Sequence, residues 1–294
     1  MGAGMARNLA SKWGQPPAVY DKIQKRLEAA RDWGVVCDSP AMVAERSDVV
    51  FTMLPNDEIV TEVALGENGI CAGAHPGLIL ADFSTIGPWT LVDVARRMEG
   101  RCRGVVGGAA TLGTLAAQQG SLSVFIDEHD GLLETIRPLI SCFARELMPS
   151  GGLGSAKTMK LLNNLLVAVT VSATAEALML GEKAGIPAEV SIPVLMKGSG
   201  ASYALEHHFQ GAYLEGTLVP GRFPVSYMLK DLRICQKLAE RSNHSMLFGS
   251  QAMAAYRGAR ALGFGEHYYP IVVEWMKHIA ALPTEGALAA TGGV

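Results

Sequence analysis

The chain has 294 residues, 49% hydrophobic and 18% charged, with a formal net charge of −3. That length accommodates two domains with sizeable cores, and the charge gives no footing for a nucleic-acid or anionic-membrane partner. Five scattered cysteines, an odd number with no C-x-x-C pair, point to reduced thiols in a cytoplasmic protein rather than a disulfide framework or a zinc site. The seven histidines show no metal-binding spacing, so no metal is expected, and the adjacent His207 and His208 read as a surface pair.

Along the chain, residues 1–13 place Met5, Leu9 and Trp13 at i, i+4 and i+8, which predicts a helix opened by Gly2. Pro17 to Tyr20 form a short apolar strand ending at Asp21. Ser47 to Pro55 hold a buried-strand run that the proline ends, and Leu78 to Phe83 hold another. The second leads into Ser84-Thr85-Ile86-Gly87-Pro88, where a Ser/Thr pair before proline can cap a helix. Strands alternating with helices to about residue 150 predict a mostly parallel, doubly wound sheet. The glycine-rich stretch 104–124, GVVGGAATLGTLAAQQGSLSV, reads as a ligand-binding turn or as a plain loop.

The stretch from Gly154 to Gly185 predicts a single helix of about 29 residues, roughly 44 Å long at 1.5 Å per residue. Ser155 can cap its start, and Gly185-Ile186-Pro187 stops it. From Leu161 to Leu180 it is apolar on nearly every face, as in a buried or membrane-crossing helix. Asn163, Asn164, Thr170, Ser172, Thr174 and Glu176 interrupt that run and favour burial in protein. Lys160 and Asn164, at i and i+4, share one face. Beyond this helix the chain reads as largely helical, and residues 282–294 lack amphipathic period and read as a flexible tail.

Lys160-Leu161-Leu162-Asn163-Asn164, with Gly154-Ser155-Ala156 before it and Ala175-Glu176-Ala177-Leu178 after it, closely resembles the β-hydroxyacid dehydrogenase family. That family includes 3-hydroxyisobutyrate dehydrogenase, tartronate semialdehyde reductase and, more distantly, 6-phosphogluconate dehydrogenase. The resemblance runs in consistent order through nearly the whole chain. Met1 to Leu9 is similar to the M-G-x-x-M-A-x-N-L that follows a first strand and a G-x-G-x-x-G turn, so Gly2 would be the third glycine. The strand and first two glycines are absent, and the resemblance leads one to expect a further short strand encoded upstream. Asp21 would bind the adenine ribose, favouring NAD and making NADP less suited. Leu54 and Pro55 would border the adenosine half of the cofactor, and Thr85 its nicotinamide side.

Ala117 to Leu122 is similar to A-x-x-G-T-L, which places Thr111-Leu112-Gly113 at the family's substrate-binding S-G-G. Thr111 and Gly113 would then hold the substrate carboxylate, with Leu112 replacing a glycine. Gly107-Gly108 is an alternative register that requires a gap. Phe223 to Leu232 resembles F-x-x-x-L-x-x-K-D-L, so Lys230 would face the cofactor, Asp231 would support the helix, and Tyr227 would line the substrate pocket with Asn163. The fold implied is an α/β Rossmann-like domain, 1–153, lacking its first strand. A long interdomain helix joins it to an all-α domain, 154–294, for substrate binding and dimerisation.

The activity implied is hydride transfer between NAD and a β-hydroxy acid, or the corresponding semialdehyde, in a homodimer or homotetramer. Lys160 would be the general acid/base and Asn164 would orient the substrate. Burial and positive neighbours would bring a lysine pKa towards the working range. Two other readings compete. A non-catalytic scaffold is favoured by the missing strand and opposed by Lys160, Asn164 and Lys230. An imine reductase of related fold is opposed by Lys160, which those enzymes generally replace.

Overall fold

The computed structural model describes residues 1–282 as two compact units, residues 1–160 and the chain from 161 onward. Residues 283–294, nearly all of the expected tail, lie outside the described residues.

The first unit alternates helices and strands. It opens with α1 (Gly2–Trp13), which Gly14 ends at φ 80. There follow β1 (Ala18–Val19), α2 (Gln24–Glu28), β2 (Val35–Val36), α3 (Pro40–Glu45), β3 (Val49–Thr52) and α4 (Asp57–Leu65). After these come β4 (Ile79–Asp82), α5 (Pro88–Met98), β5 (Gly104–Thr111), α6 (Gly113–Gln119), β6 (Leu122–Ile126), α7 (Leu132–Ile140) and β7 (Ala144–Pro149). A five-stranded sheet runs β3-β4-β5-β6-β7, and β1 and β2 form a separate parallel pair. Within the larger sheet every pairing is parallel except β5–β6.

Strands covered on both faces need no apolar–polar alternation, and β4 is buried along its whole length. Leu80 and Val105 pack against Leu91, Val94 and Met98 on one face. On the other, Ile79, Ala81 and Val106 meet Met5, Ala117 and Ile136. Phe51, Phe83 and Phe143 meet edge to face there, with centroids 5.5 to 5.8 Å apart.

Two local readings are corrected. Residues 104–111 are strand, not loop. Gly107 and Gly108 are packing glycines, because a Cβ on the first would meet Asp127 Oδ2 at 2.4 Å and one on the second would meet the Phe83 ring at 2.7 Å. The Ser84–Thr85 pair does not cap α5 either, whose N-cap is Gly87. That turn is held by Asp57 of α4, whose Oδ1 accepts from the Gly87 amide (2.9 Å) and the Thr90 hydroxyl.

Helix α8 (Ser155–Lys183) starts in the first unit and continues into the second. It ends in a Schellman motif: the Ile186 amide donates to Gly181 O (2.9 Å) and the Gly185 amide to Glu182 O (3.0 Å), with Gly185 at φ +85. The second unit adds α9 (Ala188–Leu195), a π-helical segment (Ala204–Tyr213), α10 (Val225–Arg241), α11 (Leu247–Ala259) and α12 (Val272–Ile279). Helix α8 is long and apolar enough to cross a membrane by length and composition. In the fold, however, its Ala168, Val171, Ala175 and Leu178 are fully buried against Phe209, Leu229, Leu232, Tyr256 and Val272. Its other flank leaves Leu162, Leu166 and Leu180 exposed.

The two adjacent histidines are not a surface pair. His207 stacks on Tyr203, whereas His208 is buried, with Nδ1 2.9 Å from the Tyr268 hydroxyl and Nε2 against that of Tyr269. Burial, aided by His207 and Arg222, pushes the His208 pKa from 6.5 down to about 4. A base whose folded pKa is depressed is stabilising above its unfolded pKa, and that stability is lost as pH falls from 6.5 towards 4. This contributes about 3 kcal/mol. We expect thermal unfolding of the native chain to show this acid slope and His208→Asn to lose it. Parallel pH profiles for the two proteins would contradict the assignment.

Candidate active site

In open α/β sheets ligands bind at the carboxyl ends of the strands, and the polar groups of the first unit gather there. At the end of β3, Thr52 Oγ1 donates to Asp82 Oδ2 (2.6 Å). At the end of β4, Ser84 Oγ donates to the same oxygen (2.7 Å) and accepts from the Leu54 amide (2.8 Å). The loops carrying Leu54-Pro55 and Ser84-Thr85 are therefore tied together. Lys157, in the first turn of α8, reaches this cluster: its Nζ lies 2.6 Å from Asp82 Oδ1 and from Asp82 O.

The head of α8 is also fixed by Asp127, whose side chain is fully buried. Its Oδ2 accepts from the amides of Gly107 and Gly154, both at 2.8 Å. Its Oδ1 accepts from Ser155 Oγ (3.0 Å) and the Ala156 amide (2.8 Å). A carboxylate there satisfies orphan amides and is stabilised by the positive end of the helix dipole. Ser155, the expected cap, is a donor to the true one.

Lys160 follows one turn later, partly buried. In the second unit, buried Asn164 donates from Nδ2 to Asp231 Oδ2 (2.6 Å) and accepts at Oδ1 from Asn163 Nδ2 (3.0 Å). Asp231 Oδ1 pairs with Lys230 Nζ at 3.1 Å. The second unit thus brings Asn163, Asn164 and Lys230 together around one buried carboxylate. Tyr227 lies a turn earlier on α10, exposed, with its ring 6.0 Å from that of Phe223.

Thr111 closes β5, and its hydroxyl donates to Ser123 O (3.1 Å). Leu112 has φ 73 and Gly113 φ 77. A leucine held in this left-handed region costs about 1–2 kcal/mol, so the backbone keeps a glycine-type turn although the side chain is not glycine.

Gly2 opens α1, and a Cβ there would come 3.4 Å from Met53 Cβ. No side chain caps this helix and its first turn holds no acid. Amides so presented fit a pyrophosphate. Asp21, after β1, fits a ribose, but its oxygens are already engaged: Oδ1 accepts from the Ile23 amide (2.9 Å) and Oδ2 pairs with Arg26 (3.2 Å). The sequence reading missed Arg26, Asp82, Asp127 and Lys157. Their partners lie on other elements, and Asp127 stands 28 residues before the helix start that it caps, so local spacing offered no cue.

Residues 1–152 match the model described as the NAD binding domain of 6-phosphogluconate dehydrogenase. Residues 154–274 match that described as the NAD-binding domain of NADP-dependent 3-hydroxyisobutyrate dehydrogenase. The mitochondrial 3-hydroxyisobutyrate dehydrogenase of Bos taurus is 30% identical, over 94% of this chain and 84% of its own. The NAD-dependent L-serine dehydrogenase of Pseudomonas aeruginosa is also 30% identical, over 92% of this chain and 93% of its own. The solved structure of Mycobacterium tuberculosis 3-hydroxyisobutyrate dehydrogenase with L-serine superposes with a TM-score of 0.84 at 24% identity, covering 93% of this chain and 94% of that one. At that identity the likeness is one of fold.

Proposed function

Because this chain belongs to the β-hydroxyacid dehydrogenase family, and is an NAD(P)-dependent oxidoreductase of that family's kind, we propose that it oxidises a small β-hydroxy acid with Lys160 as general acid/base. The observation that carries this reading is Lys160 one helical turn before Asn164, with Asn164 held by the buried Asp231 carboxylate. Asn164 presents a fixed amide to the substrate hydroxyl, because Asp231 and Asn163 occupy its other bonds. Bound NAD would supply the hydride acceptor for the hydroxyl-bearing carbon. Lys160 takes the hydroxyl proton as the carbonyl forms, and returns it in the reverse direction. The amide of Gly113 and the turn from Thr111 hold the carboxylate, with Leu112 restricting the substituent beside it. Gly2, Asp21, Leu54, Pro55 and Thr85 would hold the cofactor, and Lys230 would add a positive charge.

The Asp21–Arg26 pair refines the cofactor expectation. The carboxylate repels a 2′-phosphate, and the guanidinium beside it is a phosphate partner once released. Asp21→Ser is expected to raise NADPH affinity relative to NADH by about tenfold or more, read by fluorescence titration. An unchanged ratio would remove Asp21 from the cofactor site.

We also place the protein in the cytoplasm as a soluble homodimer or homotetramer. The exposed stripe of Leu162, Leu166 and Leu180 along α8 suits a second copy. Sedimentation measures this directly, and a monomer at micromolar concentration would contradict it. The activity itself is tested with NAD and a panel of 3-hydroxyisobutyrate, L-serine and glycerate. Appearance of NADH with at least one is expected, and tight NAD binding without turnover of any would favour a scaffold.

A further inference from the structure

Lys157 is fully enclosed, with no exposed side-chain surface, and no role assigned above uses it. A buried ammonium needs strong acceptors for its three hydrogens. Its acceptors include Asp82 Oδ1 and Asp82 O at 2.6 Å, Ser84 O at 2.8 Å and Gly108 O at 2.9 Å. These atoms lie at the end of β4 and in β5. Through Asp82 Oδ2 the network continues to the Thr52 hydroxyl at the end of β3, and through Ser84 Oγ to the Leu54 amide. One ammonium thereby joins three neighbouring strands to the first turn of α8.

An apolar side chain would fill this space without the desolvation cost of two charges. What the ion pair adds is direction: it fixes both the rotation and the axial position of the helix. Lys160 stands three residues on, on the same flank of α8. Thr85 directly follows Ser84, whose carbonyl and hydroxyl both belong to the network. Moving Lys160 relative to Thr85 therefore requires breaking the bonds of Lys157.

We propose that Lys157, paired with Asp82, is the positioning residue for Lys160, setting the acid/base amine against the Ser84–Thr85 loop. This rests on the reading of Lys160 as acid/base. Lys157→Met combined with Asp82→Asn removes both charges together and leaves neither stranded. Assayed in the full chain with the panel acid that the native enzyme turns over, it is expected to lose about 100-fold in kcat, the scale of an ångström-sized misplacement. KM for the acid and Kd for NADH should change less than about threefold, a split that a merely structural role does not give. Lys157→Gln, which keeps donors to the carbonyls, carries the same test if the double variant does not fold. A kcat within threefold of native, beside an inactive Lys160→Ala, would overturn the positioning role alone. So would losses in kcat, KM and Kd that simply track a lower Tm. If Lys160→Ala itself keeps native turnover, the acid/base reading falls, and the positioning role with it.

Discussion

Lys160→Ala should lose about 10²–10⁴-fold in kcat while NADH binding stays within a few-fold of native. That range is what a positioned general acid/base contributes, and Lys160 is the only residue to which the mechanism gives the proton. The variant should stay folded, because Lys157 and Asp127 anchor the head of α8. Asn164 and its Asp231 partner remain in place, so substrate KM should move less than kcat. Retention of more than half the native kcat would remove Lys160 from the chemistry. A parallel loss of NADH affinity would instead recast it as a cofactor ligand.

Asp127→Ala should cost about 4 kcal/mol of stability. The carboxylate is the acceptor for the amides of Gly107, Gly154 and Ala156, all within the fold's interior. Each buried amide left without a partner costs about 1–3 kcal/mol, against a typical total of about 5–15 kcal/mol. Asp127→Asn keeps one accepting oxygen and should fall between the two. Urea unfolding measures both, and a loss under 1 kcal/mol for the alanine variant would mean that other groups cap α8.

What the sequence made legible follows the range of the interactions concerned. The length of α8, its stop at Gly185 and the shared face of Lys160 and Asn164 depend on helical period and local turn chemistry, and all three were readable. The motif resemblance supplied the family and the two-part fold. The Lys157–Asp82 bond spans 75 residues and arises from strand register, which periodicity does not encode. The α5 turn looked as if Ser84 and Thr85 would cap it, but Asp57 from another helix does so, and Ser84 is drawn to Asp82 instead. The antiparallel β5–β6 pairing escaped because buried strands of either sense carry the same apolar run. His208 was misjudged for a similar reason: its burial is set by Tyr268 and Tyr269, some 60 residues further along the chain.

Hydride transfer from the hydroxyl-bearing carbon of a β-hydroxy acid to NAD can be followed with 3-hydroxyisobutyrate, L-serine and glycerate deuterated at that carbon, by mass spectrometry of the reduced cofactor. At least one acid should yield NADH carrying the deuterium, with none formed by Lys160→Ala on the same timescale. Unlabelled NADH, or no reduced cofactor from any of the three although NAD is bound, would contradict it.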